Sequence, residues 1–339
     1  RCCILKGQGN ALMYPNPYSR TPGDIDVWID ASRERIMEYT QKKFELGDDI
    51  RLQHLETSLD GVPVELHFFP CSMNNPIYHA RLQKWFRRNA DLQCSHIVGL
   101  PDEAGDIAIP TTAFNVVYQL CHLYHHFFDE GVGMRQIIDY FLVVNDFSKN
   151  VFLNNDLSNP SVNFSNHPVP LSKEGSTFSP SPSSSGSGDV TAPSRCSEPL
   201  RSKDGGPSKV SPNCAGWDRL AIEGDNSAGS TTVVTSSAST ALDVVQKELK
   251  CLGLWKFAGA VMYVLHEALG LSEEKMIAPM DEKRGKLLLA EILNGGNFGK
   301  HFTKYGHFTQ QGMAKKYFLK IWRNMHFVRY YPAEALSEP

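Results

Sequence analysis

The sequence predicts an α+β chain. A part mixing strands and helices spans residues 1–105, and a helical part follows over 106–147 and 242–332, interrupted by a long insert at 148–241. Three observations predict this. The N-terminal third carries short runs of alternating apolar and polar residues bounded by Gly, Pro and Asp. The later segments repeat their apolar residues at helical spacing. Between them the composition turns to Ser, Pro, Gly, Thr and Asn, with few large apolar residues and no period.

Residues 2–5 (CCIL) read as a short strand and 9–14 as one or two helical turns. Residues 24–29 (DIDVWI) alternate as a strand, after which Asp30 or Ser32 caps a helix reaching about Phe44. The stretch DIRLQHLETSLDGVPVELHFFP holds two extended runs joined by Asp60-Gly61, a hairpin signal, with Pro63 at the start of the second run, where a missing N–H is tolerated. PTTAFNVVYQLCHLYHHFF opens a helix that places Phe114, Val117, Cys121, Tyr124 and Phe128 on one stripe. RQIIDYFLVV, ALDVVQKELKCLG, LWKFAGAVMYVLHEALG and RGKLLLAEIL continue in the same manner, with Gly253 and Gly270 as stops. A last helix around AKKYFLKIWRNMHFV ends before Pro332.

The insert lacks the apolar surface needed to offset chain entropy and is expected to be disordered, the alternative being a mini-domain anchored on Cys214 and Trp217. LNGGNFGK, at 293–300, reads as a plain loop. The 339 residues are 41% hydrophobic with a net charge of −3, so the chain is long enough for two ordinary domains and shows no clear nucleic-acid signature. No run is apolar enough to cross a bilayer, so no membrane partner is expected. The eight cysteines form no C-x-x-C pair and include the adjacent Cys2 and Cys3, a pattern read as reduced thiols in a cytoplasm. The chain opens on Arg1, which reads as a fragment or a processed start.

Chemistry concentrates in LKGQGNALMYPNPYSRTPGDIDVWID, residues 5–30. On a strand, residues i and i+2 share a face, so Asp24 and Asp26 point one way while Ile25 and Val27 point into the core. Two carboxylates so placed repel unless a cation lies between them, and Mg²⁺ prefers one or two carboxylates together with phosphate oxygens. In the metal-free protein they are expected to be strained, so that Asp24→Asn and Asp26→Asn each leave stability equal to the parent or slightly higher. The Gly7–Gly9 turn before them suits an anion. On the later strand Glu65 and His67 share a face opposite Val64, Leu66 and Phe68. If that strand lies beside Asp24–Asp26, Glu65 reaches the same metals and helps deprotonate an attacking hydroxyl.

With these residues in place, the Gly-rich turn, the short helix, GDIDVWI and the later strand acid resemble the DNA polymerase beta superfamily of nucleotidyltransferases. The stretch LKGQGNALMYPNPYSRTPGDIDVWID with VPVELHFF looks more closely like an uncharacterised nucleotidyltransferase family common in Bacteroides-type bacteria, and GVGMRQIIDYFLVV, LGLWKFAGAVMYVL and GGNFG follow in the expected order. The resemblance implies a small mixed β-sheet core with flanking helices, a helical domain after it, and transfer of a nucleoside monophosphate from a nucleoside triphosphate to an acceptor the sequence does not identify. It implies Mg²⁺, two ions, held by Asp24, Asp26 and Glu65, with Gly7 and Gln8 in the turn that cradles the triphosphate. Gln8 departs from the superfamily's usual Gly or Ser at that position.

Lys6, Gly9 and Arg20 complete the expected nucleotide-binding set, with the two cations neutralising phosphate charge. A possible acceptor site takes in His67, His122, His126, Arg135 and Asp139, with Asp139 orienting Arg135. His122, His126 and Asp129 share a helical stripe bordered by His125, which raises a runner-up, a metal-dependent phosphohydrolase using helical histidines. A non-catalytic module that binds nucleotide is the third reading.

Overall fold

The computed structural model describes residues 1–44, 46–129, 131–156, 237–295 and 313–337, all within one unit of the chain. The protein is α+β: a small mixed sheet at the N-terminus with flanking helices, followed by helices. Among the described residues the main sheet has five strands in the order β1-β2-β5-β4-β3: β1 (Cys2–Leu5), β2 (Ile25–Ile29), β3 (Leu46–Ile50), β4 (His54–Leu59) and β5 (Val62–His67). Helix α1 (Gly7–Ala11) follows β1, and α2 (Arg33–Lys43) follows β2 with Ser32 as its N-cap.

Two strand registers bring the polar side chains together. Strand β2 runs parallel to β5, with Asp26 opposite Glu65 and Trp28 opposite His67. Strand β4 is antiparallel to β5, with His54 opposite His67. The second register comes from the hairpin turn. Asp60 (φ 51°) and Gly61 (φ 80°) both take positive φ, as a two-residue turn matching the strand twist requires.

Alternation then sorts the side chains. One face carries Val64, Leu66 and Leu55, packed with Ile36 of α2 and flanked by Ile25, Val27 and Ile29. The other carries Cys3, Leu5 and Trp28 into the large core, along with the acids of β2 and β5.

That second face meets α3 (Pro76–Gln93) and α4 (Thr112–Phe128). Phe114 of α4 stacks on Trp85 with centroids 4.5 Å apart and on Trp28 at 6.0 Å. The expected stripe of Phe114, Val117, Cys121, Tyr124 and Phe128 is wholly buried. A small ladder of β6 (Ile97–Gly99) and β7 (Asp106–Ala108) links α3 to α4. Helices α5 (Met134–Asp156), α6 (Ser237–Cys251), α7 (Trp255–Leu269), α8 (Glu282–Gly295), α9 (Met313–Phe327) and α10 (Pro332–Ala335) complete the order.

Several sequence expectations shift here. Helix α5 continues to Asp156 and α6 begins at Ser237, so ordered helix extends past both boundaries, 148 and 241, set by composition. The rest of the expected insert, with Cys214 and Trp217, and most of the 293–300 loop lie outside the described residues. Strand β3 and helix α3 were not anticipated. The 18-residue α3 opens on Pro76 behind the Asn75 cap, a clear start signal. No described helix is long and apolar enough to cross a membrane.

Helix α1 is locked to α4 by a reciprocal amide pair. Asn10 Nδ2 donates to Gln119 Oε1 at 3.0 Å, and Gln119 Nε2 donates to Asn10 Oδ1 at 2.7 Å, both side chains buried. Removing either amide strands buried polar atoms of the other, so Asn10→Ala and Gln119→Ala should each cost roughly 1–3 kcal/mol. In urea denaturation the double variant should lose clearly less than the sum of the singles. Strict additivity would show that the pair does not fasten the two helices.

Candidate active site

A cavity of about 340 Å³ opens between the polar end of the sheet and the helices. One wall is acidic. Asp24, just before β2, Asp26 within it and Glu65 on β5 offer ligand atoms that all lie within 4.8 Å of one another. The parallel register produces this convergence, since Asp26 sits directly opposite Glu65.

Asp26 is 4% exposed and strongly countered. Lys6 Nζ lies 3.1 Å from its Oδ1, and His67 Nε2 donates to the same oxygen at 2.9 Å. Burial alone would push the Asp26 carboxyl up. The Lys6 charge and the His67 hydrogen bond override it and hold the group well below the usual carboxylate range. His67 also reaches Glu65 Oε2 at 3.2 Å. Burial opposes charging of His67, but its hydrogen bonds to Asp26 and Glu65 outweigh that and raise its pKa. Burial likewise opposes ionisation of Glu65, which the His67 hydrogen bond overcomes, lowering its pKa. Asp24 is treated differently. Partial burial first, then the charges of Asp26 and Glu65, raise its pKa, and among the described residues it has no ion-pair partner.

Lys6 owes its position to the backbone. It sits at φ 50°, ψ −127° between β1 and α1, a conformation an L residue rarely adopts, and Gly7 follows at φ 30°. Its Nζ also donates to His122 Nε2 at 2.9 Å, and His126 Nε2 approaches that same nitrogen at 3.0 Å. An ammonium only donates, so His122 carries its ring proton on Nδ1. That nitrogen is shut off from water without a hydrogen-bond partner. Burial first, then the Lys6 charge, hold the His122 pKa well below the ordinary value.

Most of the predicted site residues meet here. Lys6, Gly7, Arg20, Asp24, Asp26, Glu65, His67, His122, His126, Arg135 and Asp139 all line the cavity. Gln8 and Gly9 do not. A Cβ on Gly9 would meet Ile109 Cγ2 at 3.2 Å, so this glycine serves the packing of α1. Asp139 orients Arg20 rather than Arg135. It accepts from Arg20 Nε at 3.0 Å and Arg20 Nη2 at 2.9 Å, and from the Tyr14 hydroxyl at 2.7 Å. Of the α4 histidines, His122 meets Lys6 and His126 meets His122. Among the described residues neither cluster spaced to share an ion includes them.

Sequence reasoning missed Asn10, Gln53, His54 and Gln119, which line the same cavity. His54 was within reach, because counting back from the Asp60-Gly61 turn pairs it with His67. The Asn10–Gln119 contact spans 109 residues and leaves no local signal.

Residues 1–158 match the model of a family described as uncharacterised nucleotidyltransferase. The match ends two residues after α5. Among solved structures, the chain is similar to the crystal structure of an antigenic nucleotidyltransferase-like protein from Paracoccidioides brasiliensis, at 16% identity over 43% of this chain and 67% of that one, with a TM-score of 0.28. No curated protein matches the chain.

The charge pattern corrects the expectation that both aspartates are strained in the free protein. Without divalent ions, Asp24→Asn should be as stable as the parent or more so. Asp26→Asn should cost about 3–5 kcal/mol, because it leaves Lys6 and His67 facing a buried neutral amide. Urea denaturation in chelator checks this, and equal stability of the two variants would contradict it.

His122 sets a pH dependence. Its folded pKa is depressed, so on acidification the unfolded chain takes up a proton, near its ordinary pKa of about 6.5, before the folded chain does. Its stability contribution is therefore intact above that pH and falls below it, by no more than about 1.4 kcal/mol per pH unit. Between pH 7.5 and 5.5, His122→Gln should lose less stability than the parent in denaturant melts. Parallel curves would contradict the assignment.

Proposed function

We propose that the protein is a Mg²⁺-dependent nucleotidyltransferase of the DNA polymerase beta superfamily. It moves a nucleoside monophosphate from a nucleoside triphosphate to an acceptor hydroxyl or amine. The observation that carries this reading is the convergence of Asp24, Asp26 and Glu65 on one cavity wall beside the Lys6–Gly7 turn. The family match over residues 1–158 supports it.

The donor set fits the ion. Three carboxylates offer only oxygen, which suits a hard cation, and Asp24 has no ion pair among the described residues. Asp24, Asp26 and Glu65 would hold two such ions, which supply charge neutralisation for the triphosphate and the departing pyrophosphate.

The chain's own residues do the rest. Lys6, poised between Asp26 and His122, turns its ammonium to phosphate oxygens. Asp139 fixes the Arg20 guanidinium at the cavity wall through two nitrogens, leaving its remaining N–H groups for anionic substrate. Glu65 takes the proton of the attacking acceptor. Arg135, His67, His122 and His126 bound the acceptor side. In this reading residues 1–105 form the catalytic core, the helical domain takes in 106–156 and 237–332, and the segment between is an insert. The free thiols of Cys3, Cys71, Cys94 and Cys121 fit a reducing, cytoplasmic setting.

One observation favours a second reading, nucleotide binding without turnover: Asp26 is already neutralised by Lys6 and His67. A panel of triphosphates with Mg²⁺, followed by melting and by pyrophosphate release, separates the two. Transfer predicts both a raised Tm, equivalent to about 2.7 kcal/mol at a hundredfold excess over Kd, and release that falls about 100-fold or more in Asp24→Asn and Glu65→Gln. A Tm shift with no release in any acceptor extract would leave a binding module. Neither response would end the nucleotide reading.

A further inference from the structure

Beside the carboxylate cluster lies a second group whose chemistry differs. His54 is 8% exposed, and both its ring nitrogens are shut off from water without a hydrogen-bond partner. A neutral imidazole carries one N–H and one lone pair, and leaving both unmade in a protein interior is costly. His54 nevertheless faces the cavity. The hairpin register sets it opposite His67, with ring centroids 5.1 Å apart, and its Nδ1 lies 3.4 Å from Glu65 Oε2. His67 Nε2 lies 3.2 Å from that same oxygen.

These spacings match the edges of a coordination polyhedron. Four-coordinate Zn²⁺ with bonds of about 2.1 Å to nitrogen and oxygen has ligand atoms about 3.4 Å apart. The ligand atoms of His54, Glu65 and His67 all lie within 4.8 Å of one another. Two imidazoles and one carboxylate suit a transition ion of borderline softness, whereas Mg²⁺ takes oxygen.

We propose that His54, His67 and Glu65 form a second cation site in this cavity, selective for a transition ion such as Zn²⁺, with Glu65 shared with the Asp24–Asp26 cluster. The site goes beyond nucleotidyl transfer and does not depend on it. Loading requires the one ring proton of neutral His67 to move from Nε2, where it is directed at Asp26 and Glu65, to Nδ1 by exchange through solvent. The ring proton then sits on Nδ1, facing Gln53. The Gln53 amide is held by contacts of 3.1 Å to Pro70 O and 3.3 Å from Ser72 Oγ, and lies 3.4 Å from His67 Nδ1. It turns its oxygen to the ring at the cost of the Pro70 contact. The open coordination position faces the cavity, where a substrate oxygen or water completes the shell.

Chelator-stripped full-length protein is titrated with Co²⁺, followed by visible absorption, and then with Zn²⁺ as competitor. The expected result is one equivalent of Co²⁺ giving ligand-field bands that Zn²⁺ abolishes. The bands should be lost in His54→Gln and His67→Gln and kept in Asp24→Asn. Absence of bands in the parent, bands of parental intensity in His54→Gln, or their loss in Asp24→Asn would overturn the proposal. Should the histidine variants fail to fold by circular dichroism, zinc-edge X-ray absorption of the parent decides. Two imidazoles in the shell support the site, and an all-oxygen shell overturns it. None of these readouts uses nucleotide, so failure here leaves the transfer reading standing, and failure of pyrophosphate release leaves this site standing.

Discussion

A carboxylate buried in a sheet is the constraint around which this structure is organised. Taking Asp26 out of water costs several kcal/mol unless positive charge comes with it. The chain supplies that charge from two directions. Lys6 arrives from the turn before α1 through a backbone conformation that an L residue rarely adopts. His67 arrives from the neighbouring parallel strand. Because Lys6 also donates to His122, the same ion pair ties the sheet to α4. The amide pair of Asn10 and Gln119 holds α1 in the orientation this needs, and the Trp85–Phe114–Trp28 stack holds α4 against the sheet.

The result is a cavity with an acidic wall and a nitrogen-rich wall, unequally satisfied. Asp26 is fully countered, while Asp24 has no ion pair among the described residues and is pushed toward protonation first by partial burial and then by its acidic neighbours. In the proposed function, a hard cation arriving with phosphate oxygens would relieve that imbalance and give the Lys6 ammonium an alternative anion. On that proposal, substrate arrival would be an exchange of partners around one Asp26 oxygen. Resting stability and readiness for ligand come from the same side chains.

Much of this was legible in the sequence because it depends on period-two alternation. Asp24, Asp26, Glu65 and His67 fall on one face for the same reason that Ile25, Val27, Val64 and Leu66 fall on the other. The Asp60-Gly61 turn fixes the hairpin register by simple counting, so His54 was available to the same reasoning. Gln8 and Gly9 misled because a glycine serves close packing as readily as a ligand turn, and Ile109, the residue Gly9 packs against, is about a hundred positions away. Asp139 misled because its helical neighbour Arg135 is visible locally, whereas its partner Arg20 is 119 residues distant. The strain expected for both aspartates held only for Asp24, since the Lys6–Asp26 pairing rests on a backbone conformation that spacing does not encode. Helix α5 ran past its expected end because Val143, Val144 and Phe147 anchor it in the core, and Ser148 is buried beside them, its hydroxyl donating to the Val144 carbonyl.

The most direct test of the central claim is a crystal structure with Mg²⁺ and a non-hydrolysable nucleoside triphosphate. The account predicts an ion among Asp24, Asp26 and Glu65, phosphate oxygens on Lys6, and the Lys6–Asp26 distance lengthened from 3.1 Å. Nucleotide bound elsewhere, with Lys6 and His67 still closed on Asp26 and no ion among the carboxylates, would contradict it.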